Sequence, residues 1–302
     1  MKLNLKNIFL YLIIIFCQIN LLGLKTASAL DVENKCSTNN AYLVFDAKSQ
    51  QVLLQKNANE IIYPASLTKI MTAYLVFDAI KNKKLTWQQK INISQKAHQI
   101  SLVNKVNTLN LQPQQKISVL EATKAMLVRS YNETAVALAE AITKNEEQFA
   151  DEMNKKAQEL GMNNTFFVNS SGLHSENQYT TAHDLAKLAF AIKRDFPQFY
   201  HMFGLTEFKI TDSKTIKIVK KKKKTIIRSK KYYSHNDFLL KYTGAEGMKT
   251  GYTKASGFNL IATATKNNHQ LFGILIGCES GKKRTKLMEM LLDIGFYIVS
   301  NN

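Results

Sequence analysis

Pro64 to Tyr74 reads PASLTKIMTAY, and the rest of the chain has to be read against this stretch. Leu67, Ile70, Met71, Tyr74, Leu75 and Ala79 recur at helical spacing, which predicts a buried helix from Pro64 to about Ile80. Pro64 suits its first turn, because the N–H that proline lacks would have no partner inside the helix. On such a helix Ser66 and Lys69 share a face, so the amine comes within hydrogen-bond reach of the hydroxyl. A serine hydroxyl is a poor nucleophile at neutral pH and needs an adjacent base. A lysine serves as that base only if burial and neighbouring cations lower its pKa. The positive end of the helix would also favour an oxyanion developing at Ser66. Taken alone, S-x-x-K arises often by chance, as a serine near a helix start beside a solvated lysine.

Upstream, Ala41–Asp46 (AYLVFD) and Val52–Gln55 (VLLQ) flank a polar Ala47–Gln51 turn and predict a hairpin. Downstream, helices are predicted over Val119–Leu127, Glu133–Thr143 and Glu146–Leu160, the last stopped by Gly161. Thr181-Ala-His-Asp184 resembles a capping box before a helix at Leu185–Ile192. Strands follow at Gly247–Gly251, Phe258–Thr265 and Leu271–Gly277, and an amphipathic helix at Arg284–Val299 closes the chain. A hairpin, a helical insertion, a three-strand meander and a final helix imply an α+β fold, an antiparallel sheet covered by helices with a helical subdomain folded in between.

The first 29 residues carry the parts of a secretory signal: Lys2 and Lys6, the apolar run Ile8–Cys17, and the small-residue site Ala27-Ser28-Ala29. We therefore expect residues 30–302 to be one exported catalytic domain, with an α/β part at about 30–90 and 205–302 and a helical subdomain at about 91–204. No second domain or anchor is expected after the last helix. The chain's net charge of +18 is unevenly spread, with ten lysines and Arg228 against Asp212 alone between Lys209 and Lys231. In an exported protein the Lys220–Lys224 run is expected to make at most weak contact with anionic envelope polymer or membrane, and a nucleic-acid partner is not expected. With neither a CxxC pair nor an HExxH motif and only scattered histidines, the sequence calls for no metal and no cofactor.

Two further motifs change the weight of S-x-x-K. Ser130-Tyr131-Asn132 lies between two predicted helices, and Lys249-Thr250-Gly251 lies on a predicted strand bracketed by Gly247 and Gly257. The trio in this order is the signature set of class A β-lactamases and penicillin-binding proteins. From Ala41 to Phe296 the chain resembles the serine D-alanyl-D-alanine carboxypeptidases, the low-molecular-mass penicillin-binding proteins. Besides PASLTKIMTAY, the resemblance rests on LVRSYNETAVALAEAI (127–142), LGMNNTFFVNSSGL (160–173), QYTTAHDLAKLA (178–189) and GAEGMKTGYTKASGFNLIATA (244–264).

The resemblance implies a β-lactamase/transpeptidase-like fold with a five-stranded sheet, and a reaction on the peptidoglycan stem peptide, with β-lactam antibiotics as covalent inhibitors. Ser66 would be the acylated nucleophile and Lys69 its base. Ser130 would relay the proton to the leaving group, and Asn132 would hold the substrate amide and Lys69. Lys249 would take the terminal carboxylate and keep the Lys69 pKa low, with Thr250 adding a hydroxyl contact. Gly251 completes the third motif, and the N–H groups of Ser66 and Tyr252 would form the oxyanion hole. In the family's sheet the strands next to Cys36 and Cys278 are antiparallel neighbours, which implies a disulfide, with two free thiols as the alternative.

The chain departs from the pattern in several places. Tyr131 replaces the β-lactamase Asp, the loop Asn107–Lys116 lacks the expected glycines, and His235 falls where some members carry a substrate-binding Arg. Glu146, Glu147, Glu152 and Glu159 all lack the Leu-Asn that follows the deacylating glutamate of class A β-lactamases, which implies slow release of penicillin. A D-alanyl-D-alanine endopeptidase of the same family is the alternative activity. A non-catalytic envelope-binding protein is the alternative of another class.

Overall fold

The computed structural model describes residues 36, 40–103, 108–219 and 222–301. The secretory-signal reading of residues 1–29 falls outside them, as do Lys220 and Lys221 of the lysine run.

Strands β1 (Ala41–Asp46) and β2 (Val52–Lys56) form the predicted hairpin. A 3-10 turn, Ala65–Thr68, leads into helix α1 (Lys69–Lys81). Next come β3 (Lys90–Asn92), α2 (Gln95–Val103), β4 (Lys116–Ser118), α3 (Val119–Arg129), α4 (Asn132–Ile142), α5 (Glu146–Glu159) and α6 (Ala182–Asp195). Strands β5 (Glu207–Val219) and β6 (Lys222–Tyr233) pair as a long hairpin, followed by the short helix α7 (Asp237–Lys241). The chain closes with β7 (Ala245–Thr253), β8 (Gly257–Lys266), β9 (His269–Cys278) and α8 (Gly281–Ser300).

The main sheet has five antiparallel strands, as the family resemblance implied, in the order β2-β1-β9-β8-β7. Its central strands are apolar on both faces because helices cover both. On one face α8 lays Leu287, Met288, Leu291 and Leu292 against Leu260, Leu271 and Leu275. The approach is close enough that a Cβ at Gly273 would sit 2.4 Å from the Met288 sulfur. On the other face Phe45 stacks on Phe272 at 4.9 Å, and Phe190 of α6 meets both rings edge-on. Helix α1 is buried nearly all round, which suits an element lying between the sheet and the other helices. Its Phe77 is ringed by Trp87, Phe196, Phe199 and Phe203.

Two local expectations are revised and one departure from the family pattern finds its explanation. The helix expected to begin at Pro64 starts as α at Lys69, because Ala65 takes a positive φ of 48° and the next residues tighten into a 3-10 turn. Thr181 does accept from the Asp184 N–H at 3.1 Å, but the Asp184 carboxylate turns away to the Asn164 N–H and the Thr165 hydroxyl, so the cap is one-sided. The loop without glycines gives its left-handed positions to Asn110 and Gln114, residues short or polar enough to occupy them.

Candidate active site

The 3-10 turn changes the geometry of S-x-x-K to its advantage, since residues three apart eclipse one another in that helix type. Ser66 Oγ lies 3.1 Å from Lys69 Nζ. Two elements press on the turn. A Cβ on Gly172 would fall 1.9 Å from the Ala65 carbonyl oxygen, and Gly172 also has a φ of +79°, so only glycine fits there. From the other side the edge strand β7 passes so close that a Cβ on Gly251 would sit 3.2 Å from the Ser66 nitrogen.

Lys69 is fully buried and gives three hydrogen bonds, to Ser66 Oγ, to Asn132 Oδ1 at 2.7 Å and to the Ser171 carbonyl. Burial pushes its pKa down to about 7, against the opposing pull of Glu133 and Glu146. Asn132 opens α4, and Ser130 ends α3 in the left-handed region at φ 62°, ψ 28°. The two-residue link Ser130-Tyr131 thereby turns the chain from one helix into the next. Tyr131 is buried with Ala125, Val128 and Phe208 and meets Tyr232 edge-on at 6.3 Å, so at this position it packs the base of the β5–β6 hairpin.

On β7, Lys249 is buried and donates to the Thr250 carbonyl at 2.8 Å. Burial and the positive charges of Lys69 and Arg284 take its pKa well below the usual lysine value. Repulsion between two buried ammonium groups is mutual, so loss of a proton from either relieves the other. At Lys69, however, it is burial that lowers the pKa, where the resemblance assigned that part to Lys249. The Thr250 hydroxyl lies 3.1 Å from His235 Nε2. Partial burial and the charges of Lys249, Arg129 and Arg284 lower the His235 pKa, so its imidazole is neutral at neutral pH. Tyr252 is 55% exposed and lies over Phe258 at 4.3 Å.

Lys69 thus joins Ser66 and Asn132, with Lys249 close enough for the two lysine charges to interact and Gly251 against the turn. Among the described residues Ser130 and Tyr252 make no hydrogen bond to that trio. Sequence reasoning passed over the 168–173 loop as a site element. Its Ser171 carbonyl holds Lys69 and its Ser170 carbonyl accepts from Thr72 Oγ1 at 2.6 Å. A backbone carbonyl leaves no mark on residue type, and only the quoted NSSGL pointed there.

A serine–lysine–asparagine cluster beside a K-T-G edge strand, on an antiparallel sheet sandwiched by helices, is the fold and site of the penicillin-binding transpeptidase class. Residues 26–280 match the D-alanyl-D-alanine carboxypeptidase family, and the chain belongs to that family. It is 32% identical over 254 residues to the D-alanyl-D-alanine carboxypeptidase DacF of Bacillus subtilis, covering 84% of this chain and 61% of that one. It is 29% identical over 255 residues to the D-alanyl-D-alanine endopeptidase of Escherichia coli, covering 81% of this chain and 73% of that one. Penicillin binding protein 5 from Haemophilus influenzae superposes with a TM-score of 0.75 at 32% identity, over 85% of this chain and 70% of that one. The chain therefore spans about three-fifths of the length of the first of these relatives.

Proposed function

We propose that this chain is an exported serine D-alanyl-D-alanine carboxypeptidase that removes the terminal D-alanine of peptidoglycan stem peptides through an acyl-enzyme at Ser66. The observation that carries the reading is the buried Lys69 amine, 3.1 Å from Ser66 Oγ and with a pKa lowered to about 7. A neutral amine has two N–H donors and one lone pair. With Asn132 Oδ1 and the Ser171 carbonyl taking the donors, the lone pair is left for the Ser66 proton.

Ser66 Oγ then attacks the carbonyl carbon of the scissile amide as its proton passes to Lys69. The Ser66 and Tyr252 N–H groups receive the oxyanion, and Ser130 hands a proton to the departing D-alanine nitrogen. The substrate carboxylate docks at Lys249, whose proton it would help retain, and at the Thr250 hydroxyl beside neutral His235. Water then cleaves the ester. Without the β-lactamase glutamate this last step is slow for a bulky penicilloyl group, so β-lactams act as covalent inhibitors.

Intact-protein mass spectrometry should find a persistent penicilloyl adduct that is absent in Ser66→Ala, alongside D-alanine release from a pentapeptide by the drug-free chain. Rapid penicillin turnover would refute the reading. The endopeptidase alternative has behind it the 29% identity to the Escherichia coli D-alanyl-D-alanine endopeptidase, below the 32% to the Bacillus subtilis carboxypeptidase. Cleavage of a cross-linked dimer in preference to the pentapeptide would decide for it.

Export is supported by the bond between Cys36 and Cys278, since such bonds persist in oxidising compartments. The β5–β6 hairpin contributes a separate, weak contact with anionic envelope polymer or membrane. Its base is held by Phe208 and Tyr232, stacked at 5.0 Å, and by a hydrogen bond from Arg129 to the Tyr233 carbonyl at 3.2 Å. Register sets Lys209 opposite Lys231 and Lys217 opposite Lys224, which gathers positive charge along the hairpin, although Lys231 also pairs with Glu207 at 2.5 Å. Association with anionic vesicles or polymer is expected to fall steeply as salt rises, and binding unchanged at about 1 M salt would refute this contact.

A further inference from the structure

The loop that carries the Lys69 acceptor is held almost entirely by side chains. Gln178 Oε1 accepts from the Val168 and Asn169 N–H groups, at 3.1 and 3.3 Å. Asn169 Oδ1 accepts from the N–H groups of Ser171 and Gly172, at 3.2 and 2.7 Å. At the centre, Ser170 gives both its N–H and its hydroxyl to one oxygen of Glu146, at 2.9 and 2.6 Å. Its carbonyl is taken by Thr72, so every polar group of Ser170 is fixed from outside the loop.

Glu146 is the first residue of α5 and only 3% exposed. Its second carboxylate oxygen meets the Lys96 ammonium at 3.0 Å, and Lys96 reaches in from α2 and also bonds Glu147. The mechanism above gives this carboxylate no role, and it lacks the sequence context of a deacylating glutamate.

We propose that Glu146, backed by Lys96, is a positioning residue for acylation: it fixes the Ser170–Ser171 backbone so that the Ser171 carbonyl holds Lys69 with its lone pair toward Ser66. This rests on the reading of Ser66 as the acylated nucleophile. The connection runs through three links, from Glu146 to the Ser170 N–H, along the backbone of Ser170 and Ser171, and from the Ser171 carbonyl to Lys69.

A second effect accompanies the first. The Glu146 charge favours the protonated form of Lys69, as does that of Glu133 on α4. The charged groups around Glu146 are Lys96 on α2, Glu140 on α4, Glu147 on α5 and Lys69 on α1. Glu146 therefore sets both where the Lys69 amine points and the pH at which it becomes a base. A part that only held the fold together would leave that pH unchanged.

The test measures the second-order rate of Ser66 acylation by a fluorescent penicillin, across the pH range in which Lys69 titrates, with melting temperatures recorded in parallel. Glu146→Ala is expected to slow acylation on the order of tenfold or more, as misplaced catalytic groups do. Its pH midpoint should move down. Glu146→Gln keeps an oxygen for Ser170 but no charge. It should recover the rate to within a few-fold of wild type while its midpoint stays low.

A folded Glu146→Ala protein with the wild-type rate and midpoint would overturn the proposal. If that variant does not fold, Glu146→Gln decides alone, and an unchanged midpoint overturns it. Failure of the wild-type chain to be acylated would remove the reading of Ser66 itself, and this proposal with it.

Discussion

Lys69→Met is expected to slow acylation of Ser66 by about 10²- to 10⁴-fold, the range that a positioned general base supplies, without lowering the melting temperature. Methionine fills much the same space but can take no proton. The stability side follows from linkage. Burial lowers the Lys69 pKa from 10.5 to about 7 in the folded chain. Between those two values the unfolded chain binds more protons than the folded one, so stability rises with pH through that window and is flat below it. At neutral pH the buried lysine therefore costs stability, on the order of a few kcal/mol. Methionine removes that cost and the slope with it. Part of the gain is offset, because Asn132 Oδ1 and the Ser171 carbonyl lose a donor. Acylation of the wild-type chain should rise with pH through about 7 as the amine becomes available. A variant that acylates within tenfold of wild type, or a wild-type rate flat across that pH, would remove Lys69 as the base.

The parts of the fold legible in the sequence were those with strong period. β1, β8, β9 and the helices α3 to α5 and α8 lie within a few residues of their predicted bounds, because runs such as LVF and ILI or the stripe Leu287, Leu291, Ile294 specify one burial pattern. The short pieces β3, β4 and α2 were missed. Three-residue strands have too few side chains to show alternation, and α2 buries only Ala97 and Ser101.

At the site, residue types announced Ser66, Lys69 and Asn132. They could not announce that Ser66 sits in a 3-10 turn, which depends on Gly172 and β7 pressing from either side. Nor could they show that a main-chain carbonyl at Ser171 completes the set around Lys69. The Glu146–Ser170 link joins residues 24 apart in sequence through a loop with no repeating pattern, and only coordinates bring them together.

Reduction of the Cys36–Cys278 bond is expected to destabilise the folded chain by at most about 5 kcal/mol in the chain-entropy view, because the two cysteines are separated by 242 residues. Such a cross-link ties up most of the polypeptide in the unfolded state. In the folded state it fits where it lies, with Cα atoms 5.0 Å apart and both cysteines buried against Leu260 and Leu287. Ala41 of β1 pairs with Ile276 of β9, so the bond fastens the N-terminal approach of β1 to the end of the strand that β1 already accompanies. The same row runs on toward the site. Cys278 pairs with Phe258, and Phe258 pairs with Tyr252, whose ring it also touches. Loosening should therefore begin at the end of the sheet that carries Tyr252. A melt with and without reductant should separate by on the order of 10 °C for a domain of this size, and the Cys36→Ser/Cys278→Ser double variant should melt with the reduced protein and ignore the reductant. Because both sulfurs are buried, reduction should need mild denaturant or heat to proceed. Equal free-thiol counts before and after full reduction, or melts that coincide, would show that the bond either does not form or stabilises nothing.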